Sequence, residues 1–201
     1  MRIILASQSP RRKRLLQQFG FEFEIMPSFI DESSTETNPV KLVEDLAFKK
    51  ANDIASRCSN SLVIGSDTVV VHNNSILGKP MSNMDASKML NDLSGVQHQV
   101  HTGVVLIQTD LNSNITKTLR FSEMTRVYFS ELDQTEIDDY IASGNPMDKA
   151  GSYGIQDDWG AAFVKKIEGD FYTVVGLPIN RLYYELKEHF PEIIQRRNNN
   201  S

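Results

Sequence analysis

Apolar and polar positions along this chain switch between a period near two and a period near 3.6, which predicts interleaved strands and helices. The short apolar run over residues 3–5 predicts a buried strand, and residues 10–19 predict a helix that Gly20 closes. Asn38 and Pro39 suit the N-cap and first turn of a second helix reaching about residue 57, with Val43, Leu46, Ala47, Ala51 and Ile54 on one stripe. Residues 62–64 and 69–71 are strand-like, and His72-Asn73-Asn74 then turns the chain. A helix over 85–93 ends near Gly95, a strand covers 100–107, and Leu119, Phe121, Val127 and Phe129 mark another long extended segment. Asp133 and Glu136 have the spacing of a capping box, and their helix stops before Gly144-Asn145-Pro146. Residues 164–167 and 172–175 flank Glu168-Gly169-Asp170 in a hairpin pattern. Pro178 starts a last helix with Leu182, Tyr183 and Leu186 on one stripe, and the polar stretch from Gln195 onward reads as a frayed tail.

Helices interleaved with both long crossovers and hairpins define an α/β fold with a mixed sheet. There is no internal repeat and no separating linker, so the expectation is one domain over residues 1–190 with a polar C-terminal tail over 191–201. The 201 residues suffice to bury a sizeable core. A net charge of -5 argues against a nucleic-acid partner, because phosphate contacts dominate that affinity. Cys58 is the single cysteine, which leaves no intrachain disulfide and no thiolate metal cluster. The apolar opening is too short for a signal-peptide core or a membrane span, so a cytoplasmic protein without membrane partners is expected.

Against this acidic background the segment Ser7-Gln8-Ser9-Pro10-Arg11-Arg12 stands out. Ser9 as N-cap and Pro10 at the first helical position start a helix at the end of a strand, with free N–H groups and a positive dipole end. Arg11, Arg12, Lys13 and Arg14 crowd that same end, where the dipole disfavours cations. A solvated basic turn is the plain reading, and a compensating phosphate is the favoured one. Lys50 falls on the apolar stripe of its helix, where a lysine either snorkels out or meets a fixed anion. Asp67, in Gly65-Ser66-Asp67-Thr68, interrupts two β-branched runs, so either a turn separates two short strands or the carboxylate is held there to bind a metal or orient water.

Weaker signals surround these. Asp31-Glu32 can supply a further carboxylate, and Gly78-Lys79-Pro80 sets a lysine in a rigid turn. The segment Asp148-Lys149-Ala150-Gly151-Ser152-Tyr153-Gly154-Ile155-Gln156 is long for a mere connection, and the Gln156 amide can read the edge of a base. No P-loop, dinucleotide fingerprint, His-Glu-x-x-His or nucleophile elbow occurs. His98 and His101 lie three apart in a predicted strand and so face opposite sides.

Together, Ser7-x-Ser9-Pro10-Arg11-Arg12, Lys50, Gly65-Ser66-Asp67-Thr68, Gly78-Lys79-Pro80, Asp148-Lys149-Ala150-Gly151 with Tyr153-Gly154-Ile155-Gln156, and Val174-Val175-Gly176-Leu177-Pro178 resemble the Maf family of nucleotide pyrophosphatases. The likeness spans residues 3–186 in the family's own order. It implies an elongated twisted mixed sheet flanked by helices, with two lobes around a deep cleft, as in inosine triphosphatase-like folds. It implies hydrolysis of a nucleoside triphosphate to monophosphate and diphosphate (pyrophosphate) with a divalent cation, Mg²⁺ or Mn²⁺. Carried over by position, Asp67, Lys50 and Lys79 are the expected catalytic residues. Ser7, Ser9, Arg11, Arg12, Thr68 and Gln156 are the expected substrate ligands, and Glu32 with Asp67 the expected metal ligands. The subgroup acting on dTTP and UTP resembles this chain at Arg12, Thr68 and Gln156, and modified pyrimidine triphosphates are further substrate candidates. A homodimer is implied. Asp157-Asp158-Trp159 departs from the glycine-rich run usual after the glutamine. The competing readings are a nucleotide-binding regulator of cell division without turnover, and a pyrophosphatase for a modified purine such as 7-methyl-GTP.

Overall fold

The computed structural model describes residues 1–156 and 159–199, so Asp157 and Asp158 of the departing segment lie outside the described residues. Among the described residues the chain builds a seven-stranded sheet flanked by helices. In chain order the strands are β1 (Arg2–Leu5), β2 (Glu24–Ile25), β3 (Ser61–His72), β4 (Ser75–Leu77), β5 (Gln97–Thr109), β6 (Ile115–Phe129) and β7 (Val164–Glu168). The helices are α1 (Pro10–Gln18), α2 (Pro39–Ala55), α3 (Asn83–Leu93), α4 (Gln134–Ala142), α5 (Phe171–Val175), α6 (Ile179–His189) and α7 (Pro191–Asn199). The sheet runs β2-β1-β3-β5-β6-β7, with β4 paired to β3. It is mixed: β1 lies parallel to β2 and β3, while β4 on β3 and β7 on β6 are antiparallel.

The chain forms two compact units. The first comprises Met1–Asp67, Thr102–Glu123 and Gly176–Ser201, the second Thr68–His101 and Met124–Val175. In the first, Ala47, Ala51, Ile54 and Ala55 of α2 share a buried cluster with Ile4, Val63, Val105 and Ile107. Two glycines make that seat possible. A Cβ on Gly65 would stand 2.3 Å from the Ala47 carbonyl oxygen, and one on Gly103 would stand 2.5 Å from the Val43 carbonyl carbon. Helix α2 therefore rests directly on the backbones of β3 and β5. In the second unit, Leu90 and Leu93 of α3 and Ile137 and Tyr140 of α4 pack with Val127, Phe129 and Phe163.

Three expectations change. Residues 61–72 form one continuous strand, not two strands and a turn, because the polar side chains inside it find partners. The Ser66 hydroxyl donates to the Gly176 carbonyl at 3.0 Å, and Asp67 accepts from Lys50. The second arm of the hairpin expected around Gly169 is the helix α5. The Asp170 carboxylate accepts from the Thr173 N–H at 2.7 Å and its hydroxyl at 2.9 Å, an N-cap pattern that closes a helical turn. The polar tail is helical as far as Asn199, with Pro191 at the first position and Ile193 and Ile194 buried.

Candidate functional site

The first unit gathers most of the residues singled out above. Helix α1 starts as expected: Ser9 is extended (φ -64°, ψ 117°) and its hydroxyl accepts from the Arg12 N–H. Just before it, the Ser7 hydroxyl accepts from the Ser9 N–H at 3.1 Å and from Arg12 Nη1 at 3.3 Å. Arg12 Nε also donates to the Gly176 carbonyl at 2.8 Å. The Arg12 guanidinium is thus held by its own helix entry on one side and by a carbonyl 164 residues away on the other. Burial lowers its pKa from the ordinary arginine value, Asp67 raises it, Arg11 lowers it and Glu32 raises it. Arg12 therefore feels both carboxylates and stays a cation.

Those carboxylates meet on Lys50. Its ammonium lies 2.5 Å from Asp67 Oδ1 and 2.9 Å from Glu32 Oε1. The Lys50 and Asp67 side chains are 9% and 10% exposed, whereas Glu32 is 50% exposed. One face of the triad is therefore dry and the other meets solvent. Lys50 reaches this place because the stripe of α2 lies against β3, where Gly65 lets the helix approach two residues before Asp67. A lysine on an apolar stripe and an aspartate inside a β-branched strand thus have a common explanation.

The second unit carries the remaining candidates. Thr68 is half-buried at the point where β3 passes from one unit to the other, and Lys79 is exposed in the turn after β4. Gln156 is half-buried, and its amide oxygen is shielded from solvent with no hydrogen-bond partner among the described residues.

Two residues of the site carried no role in the sequence reading. Ser66 and Gly176 fix Arg12 and β3 through the one Gly176 carbonyl, and the φ of +114° at Gly176 suits glycine. Both stand in segments that carry the family resemblance, but those segments did not reveal that the Gly176 carbonyl would meet Ser66 and Arg12.

The donor set also bears on a metal. Among the described residues no group of three or more His, Cys, Asp or Glu side chains comes together, so a self-sufficient protein cage is absent there. Two carboxylates on one point, Asp67 and Glu32, are the hard oxygen donors by which Mg²⁺ is commonly held when substrate phosphates and water complete its shell. Residues and ion fit.

Fold and site together define an α/β protein with paired acidic side chains and a cationic helix entry suited to a phosphate chain. The chain belongs to the Maf family: the family model described as "Maf-like protein" matches residues 2–189. It is 50% identical over 188 residues to a protein of a Bacillus cereus strain named dTTP/UTP pyrophosphatase, covering 93% of this chain and 95% of that one. It is 47% identical over 196 residues to the dTTP/UTP pyrophosphatase of Lachnoclostridium phytofermentans, covering 96% and 98%. Among solved structures, the Staphylococcus aureus Ham1 protein aligns with a TM-score of 0.45 and 14% identity over 64% of this chain and 72% of that one.

Proposed function

We propose that this chain hydrolyses dTTP and UTP to the nucleoside monophosphate and pyrophosphate. The observation that carries the reading is the buried Lys50–Asp67 pair with Glu32 at its open side, in the same unit as the basic entry of α1. The names of relatives that share about half of the sequence over nearly its whole length support the substrate class.

In this proposal the N–H groups at the start of α1, with Ser7, Ser9, Arg11 and Arg12, bind the triphosphate oxygens. Asp67 accepts the proton of a water molecule as its oxygen bonds to the α-phosphorus. The bond from that phosphorus to the α–β bridging oxygen breaks, and pyrophosphate leaves with the electron pair. Lys50 holds Asp67 in place and, with Arg12 and Lys79, balances the charge that develops on the leaving group. A divalent cation, Mg²⁺ or Mn²⁺, would be held by Asp67 and Glu32, and when bound it would supply charge neutralisation and water polarisation. Thr68 and Gln156 are assigned to the nucleoside.

No helix among the described residues is long and apolar enough to cross a membrane. We place the enzyme in the cytoplasm as a homodimer with neither nucleic acid nor membrane as partner. Product analysis with dTTP, UTP, CTP, dATP, GTP and 7-methyl-GTP tests the reading. Selective formation of dTMP and UMP with pyrophosphate is expected. Preference for 7-methyl-GTP would shift the substrate to a modified purine, and saturable binding with no product would make the protein a nucleotide-binding regulator.

A further inference from the structure

The second unit holds a buried polar cluster that none of these steps uses. His98 on β5 is 2% exposed, and its Nε2 shares a 2.8 Å hydrogen bond with the Tyr153 hydroxyl. The imidazole stands edge-on to Phe129 and Tyr153, at 4.9 and 5.3 Å between centroids. Burial, with a smaller contribution from His72, lowers the His98 pKa to about 3, so the ring meets Tyr153 as a neutral partner. Tyr140 on α4 is fully buried, and its hydroxyl accepts the Gly154 N–H at 3.2 Å.

These contacts bear on one segment. Its backbone turns through left-handed conformations at Gly151 (φ +67°) and at Ser152 (φ +64°), where a non-glycine residue costs free energy and must be held. Val70 leaves no room for a Cβ on Gly151. The Gly151 N–H donates to the Gly78 carbonyl at 3.0 Å, which ties the segment to the turn that bears Lys79. Tyr153 and Gly154 are then anchored by His98 and Tyr140. Two residues further on stands Gln156, its amide oxygen shielded and without a hydrogen-bond partner among the described residues. Burying an acceptor without a donor costs free energy, which a ligand N–H would return. The 2,4-dione pyrimidines, uracil and thymine, offer that N–H at ring position 3, where cytosine has a bare acceptor nitrogen.

We propose that His98 and Tyr140 are positioning residues for base recognition, holding Tyr153 and Gly154 from beneath so that Gln156 presents its amide to uracil and thymine and not to cytosine. The proposal rests on the reading that Gln156 meets the base. It adds that selectivity is set by two buried side chains that touch no substrate.

The test compares the full chain with Tyr140→Phe, Tyr153→Phe, His98→Leu, His98→Gln and Gln156→Ala, by kcat and KM for UTP and CTP, with circular dichroism to confirm folding. Tyr140→Phe, Tyr153→Phe and His98→Leu are each expected to lower the UTP-over-CTP preference about tenfold through KM for UTP, with kcat nearly unchanged. His98→Gln keeps a side-chain amide as hydrogen-bond partner and should retain the preference. The emission of Trp159, the single tryptophan, should shift on UTP binding in the wild type and less in Tyr140→Phe; its ring stands edge-on to Tyr140 at 6.3 Å. Folded variants whose preference is unchanged, or whose kcat falls alike for both bases, overturn the proposal, and a Gln156→Ala that still alters preference leaves the reading of Gln156 standing. An unchanged preference in Gln156→Ala overturns both. Should His98→Leu not fold, the two Tyr→Phe variants, which remove only an oxygen, decide the matter.

Discussion

Lys50 shows how much a single side chain can be asked to hold. Its ammonium is shared by Asp67 and Glu32, and burying such a charge is tolerable only because both partners are present. The arrangement leaves the half-exposed Glu32 carboxylate at the solvent side, which suits a cation. The sequence showed that Lys50 and Asp67 were both out of place for their elements, but not that each explains the other, because pairing across 17 residues depends on how α2 seats on β3. His98 supports a prediction at the same scale. Its folded-state pKa is lowered to about 3, while the unfolded ring takes up a proton near its ordinary value of 6.5. Between those values the unfolded state binds the extra proton, so the contribution of His98 to stability is complete above pH 6.5 and lost as pH falls toward 3. From pH 8 to pH 5 the wild type should lose about 2 kcal/mol more stability than His98→Gln in urea titrations. Equal losses would show that His98 does not stay neutral in the fold.

At the level of elements, the seat of α2 on the sheet decides whether the carboxylates and the lysine meet at all. A glycine inside a strand marks a bulge or the close approach of another backbone, and Gly65 has the close approach. Replacing Gly65 by Ala puts a methyl group 2.3 Å from a helix carbonyl, so α2 has to shift. Gly65→Ala should cost about 1–3 kcal/mol in urea unfolding and reduce kcat more than the stability loss explains, because Lys50 moves with the helix. A variant with wild-type stability and turnover would contradict the close seat. The capping chemistry of α1, α2 and α4 was legible because each N-cap side chain accepts the backbone N–H three residues on, and the box between Asp133 and Glu136 is present as expected. Helix α5 was not legible. Five residues rich in β-branched and aromatic side chains look like a strand, and only the hydrogen bonds from Thr173 to Asp170 tip them into a helical turn.

For the whole molecule, family membership and the mixed α/β fold agree with what the ordered motifs implied. Three of the four breaks between the two compact units fall inside β3, β5 and β6, where the apolar pattern continues and nothing in the sequence marks them. The proposed base contact, Gln156, was found by its place in a motif, whereas the proposed supports His98 and Tyr140 come from other elements, 58 and 16 positions earlier in the chain. Asp67 is the proposed base that activates water at the α-phosphorus of a pyrimidine triphosphate. The most direct test of that role is pyrophosphate release from UTP by Asp67→Asn beside the wild type, with binding of a non-hydrolysable UTP analogue measured in parallel. The analogue should still bind while release falls at least ~100-fold, the loss expected when a positioned general base is removed. Near-wild-type release from a folded Asp67→Asn protein would contradict that role.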